Sequence, residues 1–194
     1  MRIAILALQG AFIEHEQMLH SLGVETFQVR QLSDWQQPKD GLILPGGEST
    51  VQARLLTQLG LMQPIRRAIL DGLPVFATCA GLILLASHED GTPRQALSTM
   101  DIDVRRNAYG RQLGSFRAHE AVSGLTDSFP MTFIRAPYIH KVLSPDVEVL
   151  SQVEDRIVAV RQGNQIATAF HPELDDPRLH QLWLEMVRSG CELR

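Results

Sequence analysis

The sequence has little of what defines several protein classes. It contains only two cysteines, Cys79 and Cys191, in 194 residues, so it is not a disulfide-framed scaffold. Charged residues make up only 21% and the net charge is -4. The first figure excludes a disordered chain, and the second argues against a non-specific nucleic-acid binder. No apolar run approaches the ~20 residues that span a bilayer. Met1 to Leu6 enter an apolar strand pattern at once, without the longer apolar region and small-residue cleavage site of a signal peptide. There is no internal repeat, no low-complexity tract and no linker rich in Pro, Gly or Ser. The expectation is a cytoplasmic, reducing setting with neither nucleic acid nor membrane as partner. An unpaired cysteine there is free for chemistry.

Apolar residues make up 44% of the chain. That suits one core and a single domain over residues 1–194, burying roughly 70% of the unfolded surface. The first half alternates short apolar runs with amphipathic ones. Ile3–Leu8 reads as a strand buried on both faces. Ala11–Leu22 reads as a helix, with Phe12, His15, Leu19 and Leu22 at helical spacing. Strands are predicted at Val24–Val29, Gly41–Leu44 and Pro74–Ala77. Helices are predicted at Glu48–Leu59 and Pro64–Leu70, with another beginning at Gly81–Ala86. This rhythm predicts an α/β fold, a mostly parallel sheet with helices on both faces. The polar stretch His88–Gly114 reads as loops with an irregular strand. Strands follow at Met131–Ile134, Val147–Leu150, Ile157–Val160 and Gln165–Ala169, with a hairpin turn at Gly163-Asn164. Asp175–Arg188 reads as an amphipathic helix, capped by Asp175 or Asp176 with Pro177 in its first turn.

Three local patterns carry chemistry. In Val75-Phe76-Ala77-Thr78-Cys79-Ala80-Gly81-Leu82 a strand turns sharply into a helix. Small neighbours lift Cys79 out of the sheet, as in a nucleophile elbow, and the helix aims backbone N–H groups at the sulfur. Taken alone, the residue better suits a buried small hydrophobe, as most free cysteines are. In Phe170-His171-Pro172-Glu173 the imidazole of His171 is placed to take a thiol proton and return it to a leaving amine. Glu173 is close enough to hold and polarise that ring. The other histidines lack such a setting and are read mostly as surface residues. Pro45-Gly46-Gly47-Glu48-Ser49-Thr50 ends the third strand, where glycines let backbone approach a ligand and hold an oxyanion. It lacks the Gly-Lys-Ser/Thr ending of a P-loop, and neither cysteines nor histidines have zinc-ligand spacing, so no cofactor or metal is called for. In a parallel sheet, active residues gather at the carboxyl ends of strands, where all three patterns lie.

Together these residues resemble the class I, triad-type glutamine amidotransferases, and within them the glutaminase subunits of pyridoxal 5'-phosphate synthases. The resemblance spans nearly the whole chain. It runs through Leu8-Gln9-Gly10, Leu44–Thr50, Thr78–Leu82, Arg106-Asn107-Ala108-Tyr109-Gly110-Arg111-Gln112, Phe133-Ile134-Arg135-Ala136-Pro137 and Phe170–Leu174. It implies a flavodoxin-like three-layer fold. It also implies hydrolysis of L-glutamine to L-glutamate and ammonia, with ammonia passed to a separate synthase subunit in a large hetero-oligomer for pyridoxal 5'-phosphate (vitamin B6) biosynthesis. By the same resemblance Cys79 is the nucleophile and His171 and Glu173 complete the triad. Gly46, Gly47, Glu48, Arg106, Ile134 and Arg135 match glutamine-contacting positions, and Gln9 matches a residue near the partner contact. The chain departs from the family in two places. Ala77 stands where glycine is usual, and His88–Gln95 does not match, which is expected to alter a surface loop near the site.

The mechanism this predicts is attack of Cys79 on the glutamine amide, with the oxyanion held by backbone N–H groups of Gly47 and Ala80. Glu48 and either Arg135 or Arg106 clamp the charged ends of the amino acid, because an arginine fork binds both carboxylate oxygens. The alternatives are a glutaminase subunit of another amidotransferase, a catalytically silent subunit that binds a synthase, and a cysteine hydrolase acting on another amide or ester.

Overall fold

The computed structural model describes residues 1–106 and 114–192. In chain order the strands are β1 (Arg2–Leu6), β2 (Glu25–Val29), β3 (Gly41–Leu44), β4 (Val75–Thr78), β5 (Ala86–Glu89), β6 (Thr92–Pro93), β7 (Met100–Arg105), β8 (Ser115–Glu120), β9 (Phe129–Ile134), β10 (Tyr138–Val142), β11 (Val147–Val153), β12 (Arg156–Gln162) and β13 (Gln165–Thr168). The helices are α1 (Phe12–Ser21), α2 (Leu32–Trp35), α3 (Ser49–Gln58), α4 (Met62–Leu70), α5 (Ala80–Leu85) and α6 (Arg178–Glu192), with a 3-10 turn at Pro172–Leu174.

Eleven strands form one sheet in the order β2-β1-β3-β4-β13-β12-β10-β7-β5-β6, with β11 added beside β12. The stretch β2-β1-β3-β4-β13 is parallel throughout. Beyond it β12 and β10 run antiparallel to their neighbours, while β5 and β7 pair parallel. Strands β8 and β9 form a separate antiparallel pair. The parallel strands are near-continuous apolar runs because both faces are covered: Ile3, Ile5, Leu42, Leu44 and Phe76 are all fully buried. Each such aliphatic side chain contributes roughly 2 kcal/mol by leaving water.

The handedness of crossovers sets the layers. The β1-α1-β2 connection moves one way along the sheet, and β3-α3-α4-β4 moves the other. Right-handed crossovers in opposite directions place their helices on opposite faces. Helix α6 joins α1, since His180 and Trp183 pack on Phe76 of β4 and His180 meets His15 of α1. The strand order reverses between β1 and β3, and the carboxyl ends there open the crevice where open α/β sheets bind ligands.

The predicted elements of the first half are present with ends shifted by a few residues. In the second half β7 is regular. Met100, Ile102 and Val104 are buried while Asp101 and Arg105 are exposed. Apolar and polar residues alternate throughout Met100–Arg105, and only Asp103 departs from the outward pattern: it is buried and accepts the Gly91 N–H through both oxygens at 3.1 Å. Strands β5, β6, β8 and β10 and the short helix α2 were not predicted. Helix α2 is held by a capping box between Gln31 and Asp34. Helix α6 begins at Arg178, a few residues later than predicted. Asp176 accepts the Arg178 N–H at 2.9 Å, with Pro177 between them.

Candidate active site

Cys79 stands between β4 and α5 with φ 48° and ψ -99°. Positive φ in a non-glycine residue is costly and persists only when neighbours enforce it. Here the Cys79 N–H is tied to Thr168 O on β13 at 2.8 Å. Ala80 opens α5, so its N–H is one of the donors a helix leaves unpaired in its first turn. Gly81 permits the turn, since a methyl there would overlap the Leu44 carbonyl. Ala77 is fully buried in β4 and has no positive φ, so its methyl is accommodated as strand packing.

His171 follows β13, and its backbone N–H donates to Thr132 O of β9 at 2.9 Å. Its ring hydrogen-bonds with Cys79, and its Nδ1 lies 2.7 Å from Glu173 Oε1. Burial pushes the His171 pKa down. The hydrogen bonds to Cys79 and Glu173, with the attraction of both groups, outweigh it and raise the value to about 10. Glu173 is buried on the 3-10 turn. Burial works to raise its pKa, but His15 and His171 beside it hold it below the usual carboxylate value.

The turn after β3 closes the other side. The Gly46 N–H donates to Thr78 Oγ1 at 3.0 Å, and Gly46 O accepts the Ala11 N–H at 3.0 Å. A methyl on Gly46 would overlap His171 Cε1, and one on Gly10 (φ 101°) would overlap the Gly46 carbonyl. Only glycine at both positions lets these three segments meet. Gln9 Oε1 accepts the Glu48 N–H at 2.7 Å, and Gln52 Nε2 donates to Gln9 O at 2.9 Å and Pro45 O at 3.2 Å.

A cavity of about 300 Å³ opens above Cys79 and His171. Gly46, Gly47, Glu48, Arg106, Ile134 and Arg135, all predicted from the sequence, line it together with Gln9. Glu173 lies behind His171, outside the cavity wall. Arg106 Nη1 sits 3.6 Å from Glu48 Oε1 and 3.4 Å from Ser49 Oγ, and its Nε pairs with Glu89. Arg135 has no ion pair among the described residues. The departing segment 88–95 forms the β5–β6 hairpin, whose Glu89 pairs with both Arg94 and Arg106. It therefore reaches the rim of the site. Of the predicted segment 106–112, residues 107–112 lie outside the described residues.

Sequence reasoning misplaced two histidines and missed three other residues. His15 and His180 were read with the surface histidines, but both are fully buried beneath the triad. The helical spacing of His15 with Phe12 and Leu19 already placed it on the inner face of α1. Thr78, Gln52 and Ser49 were not singled out. Their polar partners come from segments distant in sequence, which no local pattern reveals.

Known proteins resemble this chain in sequence and fold. The chain is 56% identical to the pyridoxal 5'-phosphate synthase subunit PdxT of Methanocorpusculum labreanum over 189 residues, 96% of this chain and 98% of that one. It is 53% identical to the subunit of the same name from Streptococcus pneumoniae over 193 residues, 97% and 98% of the two chains. A solved structure described as a glutamine amidotransferase superposes with a TM-score of 0.89 at 44% identity, covering 95% of this chain and 98% of that one. A glutamine amidotransferase of Thermotoga maritima, 15% identical, shares the fold with a TM-score of 0.62 over 98% of this chain and 84% of its own. With the family's model matching residues 5–189, the chain belongs to the SNO glutamine amidotransferase family.

Proposed function

We propose that the chain hydrolyses L-glutamine to L-glutamate and ammonia, and that it delivers the ammonia to a synthase subunit that makes pyridoxal 5'-phosphate. The observation that carries this reading is the line Cys79–His171–Glu173, set on one side of a cavity whose other walls offer Glu48 and Arg135, which has no ion pair among the described residues. The similarity to proteins named as subunits of pyridoxal 5'-phosphate synthase supports the second half.

Cys79 Sγ attacks the side-chain amide carbon of glutamine. The N–H groups of Gly47 and Ala80 hold the oxyanion, each such donor contributing about 3 kcal/mol. His171, protonated at neutral pH, gives its proton to the leaving nitrogen, and ammonia departs with formation of a thioester. The same ring then takes a proton from water, whose oxygen attacks the thioester carbon; the C–S bond breaks, glutamate leaves, and the protonated ring beside Sγ is restored for the next cycle. Arg135 binds the α-carboxylate, because its guanidinium is engaged by no carboxylate among the described residues. Arg106 is engaged, and holds Glu48 to receive the α-ammonium. Ile134 packs against the substrate's aliphatic part.

On this reading residues 1–194 act as one glutaminase domain. It works in the cytoplasm within a hetero-oligomer, with Gln9 near the synthase and neither nucleic acid nor membrane as partner. No helix among the described residues is long and apolar enough to cross a membrane. The test is glutamate release by the purified chain, alone and with the synthase subunit, beside a Cys79→Ala variant. Release stimulated by the synthase and abolished in the variant is expected. Undiminished turnover in Cys79→Ala overturns the mechanism, and a stable complex without glutamate release overturns the glutaminase role.

A further inference from the structure

The His15 ring lies fully buried between the triad's acid and the nucleophile elbow. Its Nδ1 is 3.0 Å from His180 Nε2, and its Nε2 is 3.1 Å from Thr78 Oγ1 and 3.4 Å from Glu173 Oε2. Glu173 Oε2 is the oxygen that His171 does not use. Thr78 Oγ1 in turn accepts the Gly46 N–H at 3.0 Å.

The tautomers follow from the surroundings. His180 Nδ1 is buried and has no hydrogen-bond partner among the described residues. Orphaned buried N–H groups are rare, so the His180 proton sits on Nε2 and is donated to His15 Nδ1. The His15 proton then sits on Nε2, facing both Thr78 Oγ1 and Glu173 Oε2. The reverse tautomer would turn a lone pair toward an anionic oxygen. Burial, together with the charge of His171, keeps His15 neutral against the opposing pull of Glu173 and Glu14. Burial and His15 do the same for His180. A neutral N–H fixes the carboxylate without neutralising it, so Glu173 keeps its full charge for His171.

We propose that His15 is a positioning residue, with His180 fixing its tautomer. It holds the free oxygen of Glu173 and, through Thr78, the Gly46 amide, so that the acid and the glycine turn are set by one ring. The proposal rests on the reading of Cys79, His171 and Glu173 as the catalytic triad.

Two amide substitutions separate this role from simple core packing. The nitrogen of His15→Gln falls near the position of Nε2, whereas that of His15→Asn falls near Nδ1. Both leave a polar side chain on α1, and melting temperatures verify that both fold. Glutamate release is measured with the synthase subunit present, across pH. His15→Gln is expected to keep kcat within about threefold, and His15→Asn to lose about tenfold or more with little change in KM. The pH profile of kcat moves only in His15→Asn, because only there does Glu173 Oε2 lose the ring N–H that lies 3.4 Å from it. Equal kcat and equal pH profiles in the two variants overturn the proposal. Should His15→Asn not fold, Thr78→Ser and Thr78→Val repeat the comparison one bond along. Serine keeps the rate and valine loses it, and equal rates again overturn the proposal. Turnover retained in Cys79→Ala, run alongside, overturns the triad itself. With that variant dead, equal rates overturn only the role of His15.

Discussion

Gln9 Oε1 accepts the backbone N–H of Glu48 at 2.7 Å, joining the segment after β1 to the turn after β3. The bond sets the backbone from which Glu48 projects into the cavity, and it leaves the nucleophile untouched. Replacing Gln9 with Met keeps much of the bulk and removes the acceptor, a loss of about 1 kcal/mol for a neutral bond. KM for glutamine is expected to rise by about fivefold, with a smaller change in kcat. Steady-state kinetics of glutamate release check this.

Gly46→Ala places a methyl against His171 Cε1. The ring has no room to yield, because Nδ1 is bonded to Glu173 and the backbone N–H to Thr132. The expected result is a fall in kcat of about 100-fold from misplacing the base, with the folded spectrum retained. Circular dichroism beside the activity assay separates the two.

The hydrogen bond to Cys79 leads the influences that raise the His171 pKa against burial. In Cys79→Ala the His171 titration should therefore fall from about 10, as read by NMR of the ring. In the intact protein the folded value lies above the ordinary 6.5. Protonated His171 thus stabilises the fold fully below about 6.5, and the contribution fades as pH rises through about 10. Denaturant midpoints measured between these limits should fall more with pH in the intact protein than in Cys79→Ala.

The two cavity arginines should separate in kinetics. Arg135→Ala removes the guanidinium without an ion pair, and KM is expected to rise by about tenfold or more. Arg106→Ala frees Glu48 and Glu89 from their shared partner, so its effect on KM should be smaller and partly reproduced by Glu89→Gln. Equal KM values in Arg135→Ala and the unsubstituted chain would remove Arg135 from substrate binding.

Much of the site was legible because its chemistry sits in short segments. Cys79 at a strand-to-helix turn, His171 and Glu173 two residues apart, and Gly46-Gly47-Glu48 after a strand each have local signatures. The parallel half of the sheet was legible for the same reason, through short apolar runs such as Ile3–Leu8 and Gly41–Leu44, the latter stopped by Pro45-Gly46-Gly47. What stayed hidden depends on partners far along the chain. Asp103 stands at an outward position of the β7 alternation yet is buried, satisfied by the Gly91 N–H. His15 looks like any helix histidine until His180, Thr78 and Glu173 close around it. Gln52 carries no local signature in α3 but is fully buried, bridging two backbone carbonyls.

Strands β4 and β13 pair directly, with Thr78 opposite Thr168 and Cys79 bonded to the latter's carbonyl. The nucleophile and the base thus grow from neighbouring rails of one ladder, about 4.8 Å apart. Separating them would mean unzipping the centre of the sheet. Throttling or waking this enzyme from outside must leave that gauge alone and work instead on the movable furniture around it: the Gln9–Glu48 tether, the hairpin that grips Arg106, and the approach to Arg135.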